Sequence, residues 1–216
     1  MSPKATVIVF PGSNCNEESH AIMQRLGFDV SYTWYKDSLP KNLDFIFIPG
    51  GFSYGDRLRS GAIASFSNII QEVKAFAEKG GYVMGVCNGF QVLTESLILE
   101  GALLRNASSS FICKVIEIHT TSQSSYFTKN TPQTMTMQIA HADGRYFCHN
   151  DTLKKLQDNN QIAFTYKEDI NGSIANIAGI FGGKNNNILG MMPHPERDII
   201  AHTNGSEIFK SLFKNL

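Results

Sequence analysis

Tyr82-Val83-Met84-Gly85-Val86-Cys87-Asn88-Gly89-Phe90-Gln91 is the stretch whose reading decides the fold. It opens as a buried strand, turns at a Gly-x-Cys-x-Gly pattern and runs into a helix. A cysteine at such a turn sits at a strand end with a helix N-terminus beneath it. Both features favour a thiolate nucleophile. The same five residues also read as a small thiol packed between glycines, and the pattern alone leaves both readings open.

Working upstream, residues 6–10 are a β-rich run stopped by Pro11-Gly12. Residues 17–26 read as helix, with Ala21, Ile22, Arg25 and Leu26 at helical spacing and Gly27 as the stop. Residues 28–34 return as a strand. Phe45-Ile46-Phe47-Ile48 is apolar throughout, as expected of a parallel strand buried on both faces. After a loop over 49–61, the residues Ile63, Phe66, Ile69, Ile70, Val73 and Phe76 predict one face of a single helix ending near Lys79-Gly80. Strand and helix thus alternate through the first half, which predicts an open, doubly wound α/β sheet. Ligands of such sheets bind at the carboxyl ends of the strands. Pro11-Gly12, Pro49-Gly50-Gly51 and the cysteine turn all fall there, on one rim.

Downstream the texture changes. Residues 111–119, 135–140, 161–166 and 174–181 read as strands, the first two with no helix between them. Residues 182–187 form a hairpin turn leading to a strand over 188–192, and 206–213 close as a helix. The expected fold class is therefore α/β, with a mostly parallel central sheet and antiparallel additions in the C-terminal half. No repeat, linker or composition shift divides residues 1–216, which read as one domain.

Composition narrows the function. Lys+Arg and Asp+Glu are equal at 19 each, and no basic run stands out, so neither nucleic acid nor an anionic membrane is an expected partner. The four cysteines form no Cys-x-x-Cys pair. They are too few to staple a chain of 216 residues, which suits a reducing, cytoplasmic setting. The first residues lack a signal-peptide layout, and no apolar run approaches the roughly 20 residues that span a bilayer.

Two further patterns bear on Cys87. In Met192-Pro193-His194-Pro195-Glu196 a histidine is held between prolines at a strand end, with a carboxylate two residues on. In an extended segment those two side chains point the same way, giving the base and orienter of a Cys-His-Glu relay. A solvated surface turn is the plainer reading. In Pro49-Gly50-Gly51-Phe52-Ser53-Tyr54-Gly55-Asp56 two glycines follow a buried strand. Their N–H groups, with that of Asn88, suit an oxyanion hole, although an ordinary strand stop has the same look. Nucleophile, base, orienter and oxyanion donors at predicted strand ends together favour catalysis.

The arrangement closely resembles the class I (triad) glutamine amidotransferases, and among them the glutaminase subunits of phosphoribosylformylglycinamidine synthase. The shared stretches are Phe10-Pro11-Gly12-Ser13-Asn14-Cys15, the 49–56 loop, Arg59-Ser60-Gly61-Ala62-Ile63-Ala64, the Cys87 elbow through Gln91, Ile139-Ala140-His141 with Gly144-Arg145, and residues 192–197. The resemblance implies a three-layer, flavodoxin-like fold. It implies that Cys87, His194 and Glu196 form the triad, that the N–H groups of Gly51 and Asn88 hold the oxyanion, and that Gln91 contacts bound glutamine. It also implies partners: a large synthetase subunit, which uses ATP and magnesium, and a small bridging subunit. No cofactor or metal is expected in this chain. Asn16, Ser60 and Asp143 depart from the residues usual at their positions, and none belongs to the triad.

Two other classes fit less well. A cysteine hydrolase or peptidase of the related flavodoxin-like superfamily would share the elbow but not the 193–196 segment. A binding subunit with a vestigial triad would not need an intact Cys, His and Glu set. Gly183-Lys184 is no phosphate loop, because Ala178 stands at the first glycine of that motif and Asn185 follows the lysine. The six histidines form no metal-binding cluster in sequence.

Overall fold

The computed structural model describes residues 2–216, so Met1 of the N-terminal reading lies outside the described residues. In chain order the strands are β1 (Lys4–Val9), β2 (Asp29–Trp34), β3 (Phe45–Ile48), β4 (Tyr82–Val86), β5 (Ala102–Leu104), β6 (Ile112–Thr120), β7 (Thr134–His141), β8 (Arg145–Phe147), β9 (Ile162–Tyr166), β10 (Ile177–Gly182) and β11 (Ile188–Met191). The helices are α1 (Asn16–Arg25), α2 (Ala62–Ser65), α3 (Asn68–Glu78), α4 (Asn88–Glu95), α5 (Asn150–Asp158), α6 (Asp198–Ala201) and α7 (Glu207–Asn215).

Nine strands form one sheet in the order β2-β1-β3-β4-β11-β10-β9-β6-β7. Strands β2, β1, β3, β4 and β11 run parallel; β10, β9, β6 and β7 continue the sheet antiparallel. This is the expected mixture, with its seam at the β11–β10 hairpin. The central parallel strand β3 is apolar because both its faces are covered: Phe45, Ile46, Phe47 and Ile48 are all buried. Phe47 packs against Phe209 of α7 on one side, and Gly190 of β11 lies against the Phe90 ring of α4. Because β1, β3, β4 and β11 are parallel, the segments that follow them emerge at the same end of the sheet.

Two expectations need correction, and one helix was not foreseen. The helix predicted across Ile63 to Phe76 is two helices. Ser67 between them is extended (φ −71°, ψ 149°), and its hydroxyl donates back to Ala64 O at 2.6 Å. Serine competes with the helix by such local bonds, and Phe66, placed on the apolar face by periodicity, is 84% exposed. The strand expected from Ile174 starts at Ile177, because Ile174–Asn176 is a short turn with Ala175 at φ 50°. Helix α5 was not expected from the sequence, and Leu156 is its one buried residue. The 182–187 segment is the expected hairpin turn, linking antiparallel β10 and β11.

Candidate active site

Cys87 follows β4 directly and precedes α4, in a conformation that L-residues seldom adopt (φ 52°, ψ −105°). Such a conformation costs about 1–3 kcal/mol and persists only where the surroundings enforce it. Here its own N–H donates to Met191 O of β11 at 2.8 Å, and Gln91 N donates to Cys87 O at 3.1 Å. The two glycines of the pattern are needed for a reason other than the bend. The left-handed residue is Cys87 itself; Gly85 and Gly89 allow close packing. A Cβ on Gly85 would lie 2.6 Å from Gly89 O, and one on Gly89 would lie 2.0 Å from Ile48 O. They let α4 sit down on β4 and β3, which puts the helix N-terminus under the sulfur. Cys87 is buried, and its Sγ–H donates to Ala140 O at 3.8 Å.

His194 arrives from the other half of the molecule. Its N–H donates to Gln138 O at 2.8 Å, an isolated bridge onto β7. Its Nδ1 and Glu196 Oε1 are 2.6 Å apart, with both side chains fully buried. The predicted contact between i and i+2 is present, but not along an extended run: His194 is extended and Pro195–Arg197 is already a turn. Burial alone would lower the proton affinity of the imidazole. The Glu196 carboxylate overrides it and, with the sulfurs of Cys87 and Cys15, holds the imidazole well above its ordinary value. His194 Nε2 is buried and makes no hydrogen bond.

Gly50 and Gly51 follow β3. A Cβ on Gly50 would meet His194 Cε1 at 2.8 Å, Cys15 Sγ at 3.1 Å and Cys87 Cβ at 3.5 Å. That position therefore borders nucleophile and base together. Gly51 has φ 143° and pairs antiparallel with Ser13. The bonds of that pair run from Asn14 N to Gly50 O and from Phe52 N to Gly12 O, which leaves the Gly51 N–H out of the pairing. Asn88 N–H lies in the first turn of α4, where backbone donors have no intrahelical acceptor. Asn88 Oδ1 accepts from Ser53 N at 3.1 Å, fixing the glycine loop to the elbow. Gln91 is committed internally: Oε1 accepts from Asn88 Nδ2 at 2.9 Å, and Nε2 donates to Asp143 O at 2.7 Å. Its side chain ties the 141–145 loop to the elbow.

Three neighbours were quoted from the sequence without a role in the triad chemistry. Cys15, at the N-terminus of α1, is buried, and Arg197 Nη2 donates to its Sγ at 3.2 Å. Cys15, His194 and Glu196 offer ligand atoms within 4.8 Å of one another, a spacing a metal would accept. The Glu196 oxygen is engaged with the imidazole and a guanidinium rests on the sulfur, so the chemistry of the set disfavours a second cation. His141 Nδ1 pairs with Asn106 Oδ1 at 3.1 Å; burial, and then the charge of His194, lower its pKa to about 4. A neutral imidazole there adds no positive charge beside His194. No spacing in the sequence joins residues 15, 141 and 197, since three separate connections bring them together.

Residues 2–210 match the family model of the CobB/CobQ-like glutamine amidotransferase domain. The chain is 49% identical over 215 residues to the phosphoribosylformylglycinamidine synthase subunit PurQ of Ruegeria sp. (strain TM1040), covering 97% of this chain and 96% of that protein. It also superposes on a chain in the structure of PurLQS from Thermotoga maritima, with a TM-score of 0.91 and 37% identity over 100% of this chain and 99% of that one. A glutamine amidotransferase from Thermotoga maritima shares the fold at 12% identity, with a TM-score of 0.64 over 100% of this chain and 98% of that one.

Proposed function

We propose, because the chain belongs to the CobB/CobQ-like glutamine amidotransferase domain family, that it is the glutaminase subunit of a phosphoribosylformylglycinamidine synthase in purine biosynthesis. It hydrolyses glutamine and hands the ammonia to a separate synthetase subunit, which converts formylglycinamide ribonucleotide to the amidine. A large synthetase subunit and a small subunit are its partners. ATP and magnesium are used on the synthetase, residues 1–216 act as one glutaminase unit without a cofactor, and the setting is the cytoplasm. Among the described residues, no helix is long and apolar enough to cross a membrane.

The mechanism assigns each group a task. Cys87 Sγ attacks the carboxamide carbon of glutamine, and the N–H groups of Gly51 and Asn88 receive the developing oxyanion. His194 takes the thiol proton and returns it to the departing nitrogen, with Glu196 holding the imidazolium. Water then cleaves the γ-glutamyl thioester, with His194 as base, and glutamate leaves. Gln91 contacts the bound glutamine and holds the 141–145 loop against the elbow. Ammonia has to travel enclosed, because in neutral water it becomes mostly ammonium and loses its nucleophilic lone pair.

The observation that carries this reading is the buried His194–Glu196 pair at 2.6 Å beside a strained cysteine elbow. Diazo-oxo-norleucine, a glutamine affinity label, is expected to modify Cys87 alone in the assembled complex. Labelling at another residue overturns the assignment. Cys87→Ala is expected to abolish glutamine-dependent synthesis, by roughly four orders of magnitude or more, while ammonia-dependent synthesis continues. Equal loss of both would place the nucleophile's role elsewhere.

A further inference from the structure

Asn106 lies between β5 and β6, is buried, and has no part in the triad. Its side chain fills all of its hydrogen-bonding positions. Nδ2 donates to His141 O and to Ser110 O, each at 2.9 Å, and Oδ1 accepts from Gly144 N at 3.2 Å. Those three bonds fix which end of the amide is the acceptor. His141 Nδ1, 3.1 Å from the same oxygen, therefore carries the proton, and Nε2 is left as a buried acceptor. Burial and the charge of His194 keep that ring neutral. The Asn106 N–H donates to Ala142 O at 2.8 Å. One residue thus holds positions 141, 142 and 144 of the connection from β7 to β8.

The residues interleaved with these face the elbow. Ala140 O accepts from Cys87 Sγ–H at 3.8 Å, and Asp143 O accepts from Gln91 Nε2 at 2.7 Å. Residues 140 and 143 are thus bonded to the elbow, and 141, 142 and 144 to Asn106. Each buried polar group left without its partner costs about 1–3 kcal/mol, which locks loop and amide together. We infer that Asn106 is a positioning residue for glutamine binding, which sets the Ala140 and Asp143 carbonyls against Cys87 and Gln91 by holding the loop residues around them. The inference rests on the glutaminase reading, in which Gln91 contacts bound glutamine. Asn106 acts through the loop and makes no hydrogen bond to the triad, so its loss is felt in binding before it is felt in chemistry.

The test compares glutamine kinetics of the assembled complex carrying the parent chain, Asn106→Leu, Asn106→Asp or the control Asn187→Leu. Asn187 is an equally buried amide whose Nδ2 donates to Ala77 O and Gly81 O, at the end of β4 away from Cys87. Asn106→Leu is expected to raise KM for glutamine roughly tenfold or more and to lower kcat by less. Asn106→Asp keeps the acceptor for Gly144 N and loses the amide donors, and its KM is expected to fall between the parent and Asn106→Leu. Asn187→Leu is expected to lose stability without raising KM. An unchanged KM in Asn106→Leu overturns the inference, as does an equal rise in Asn187→Leu. Nitrogen NMR of the parent chain reads the same network where a variant fails to fold. It is expected to show His141 protonated at Nδ1 and bare at Nε2, and the opposite tautomer overturns the inference. A parent complex that does not turn over glutamine overturns the glutaminase reading itself, an outcome distinct from a parent that turns over glutamine and an Asn106→Leu variant with the same KM.

Discussion

The elbow and the base segment reach the same rim by opposite means. Cys87 is positioned by its immediate neighbours in sequence: strand β4 before it, helix α4 after it, and two glycines that let the helix pack within 2.0–2.6 Å of where side chains would stand. His194 is positioned by a partner 56 residues earlier in the chain, through one backbone bond to Gln138 of β7. The first device is part of the core and cannot move without unpacking it. The second is a segment laid on an edge strand, whose orientation rests on that bond and on the Glu196 pair. The nucleophile is therefore a property of the fold, and the base is a property of how two halves of the sheet meet.

Substitutions on each side test that contrast. The largest expected effect is on turnover at the base: Glu196→Gln should lower glutaminase activity roughly 10²- to 10⁴-fold, while circular dichroism shows the fold retained. If it unfolds the chain instead, the base segment belongs to the core and the contrast fails. Next comes Gly89→Ala, expected to cost about 3 kcal/mol or more in denaturant unfolding, because the methyl would meet Ile48 O and backbone cannot yield cheaply. Here stability and affinity labelling should fall together.

A third effect depends on pH. His141 is held neutral by burial and by His194, with a pKa of about 4 in the fold against about 6.5 unfolded. Between those values the unfolded chain binds the extra proton, so stability falls as pH drops from about 6.5 to 4, by up to about 3 kcal/mol. His141→Asn should remove that part of the acid loss, seen as a smaller difference in unfolding free energy between pH 6.5 and 4. An unchanged difference would mean that the loop opens to water before it protonates. The smallest effect is at the elbow itself. Cys87→Gly should be more stable than Cys87→Ala by about 1 kcal/mol, because glycine carries no Cβ penalty at φ 52°. Equal stabilities would show that the turn relaxes once the sulfur is gone.

The same contrast explains what was legible in the sequence. The parallel half was readable because its signals are local: Phe45-Ile46-Phe47-Ile48 is apolar because both faces are covered, and Gly-x-Cys-x-Gly marks a turn in consecutive residues. His194 and Glu196 were legible because two residues separate them. Cys15, Arg197 and Asn106 were not, since their contacts join segments far apart in sequence that only the folded sheet brings together. The break at Ser67 also escaped periodicity, which counts apolar residues and does not weigh a hydroxyl bonding to Ala64 O. The amide of Gln91 is engaged with Asn88 and Asp143, a contact no spacing reveals.

The bridge from His194 to Gln138 also has a consequence for the sheet as a whole. Strand β7 is the last strand on the antiparallel side, and an uncovered last strand offers a template for pairing with another molecule. Gln138 O is taken by His194 N, and Thr136 N by Asn204 Oδ1 at 2.8 Å. The segment that carries the base thus seals that border of the protein. A chain that lost it would lose its chemistry and gain an adhesive margin at once, so the solubility of the molecule and its reactivity are guarded by the same short segment.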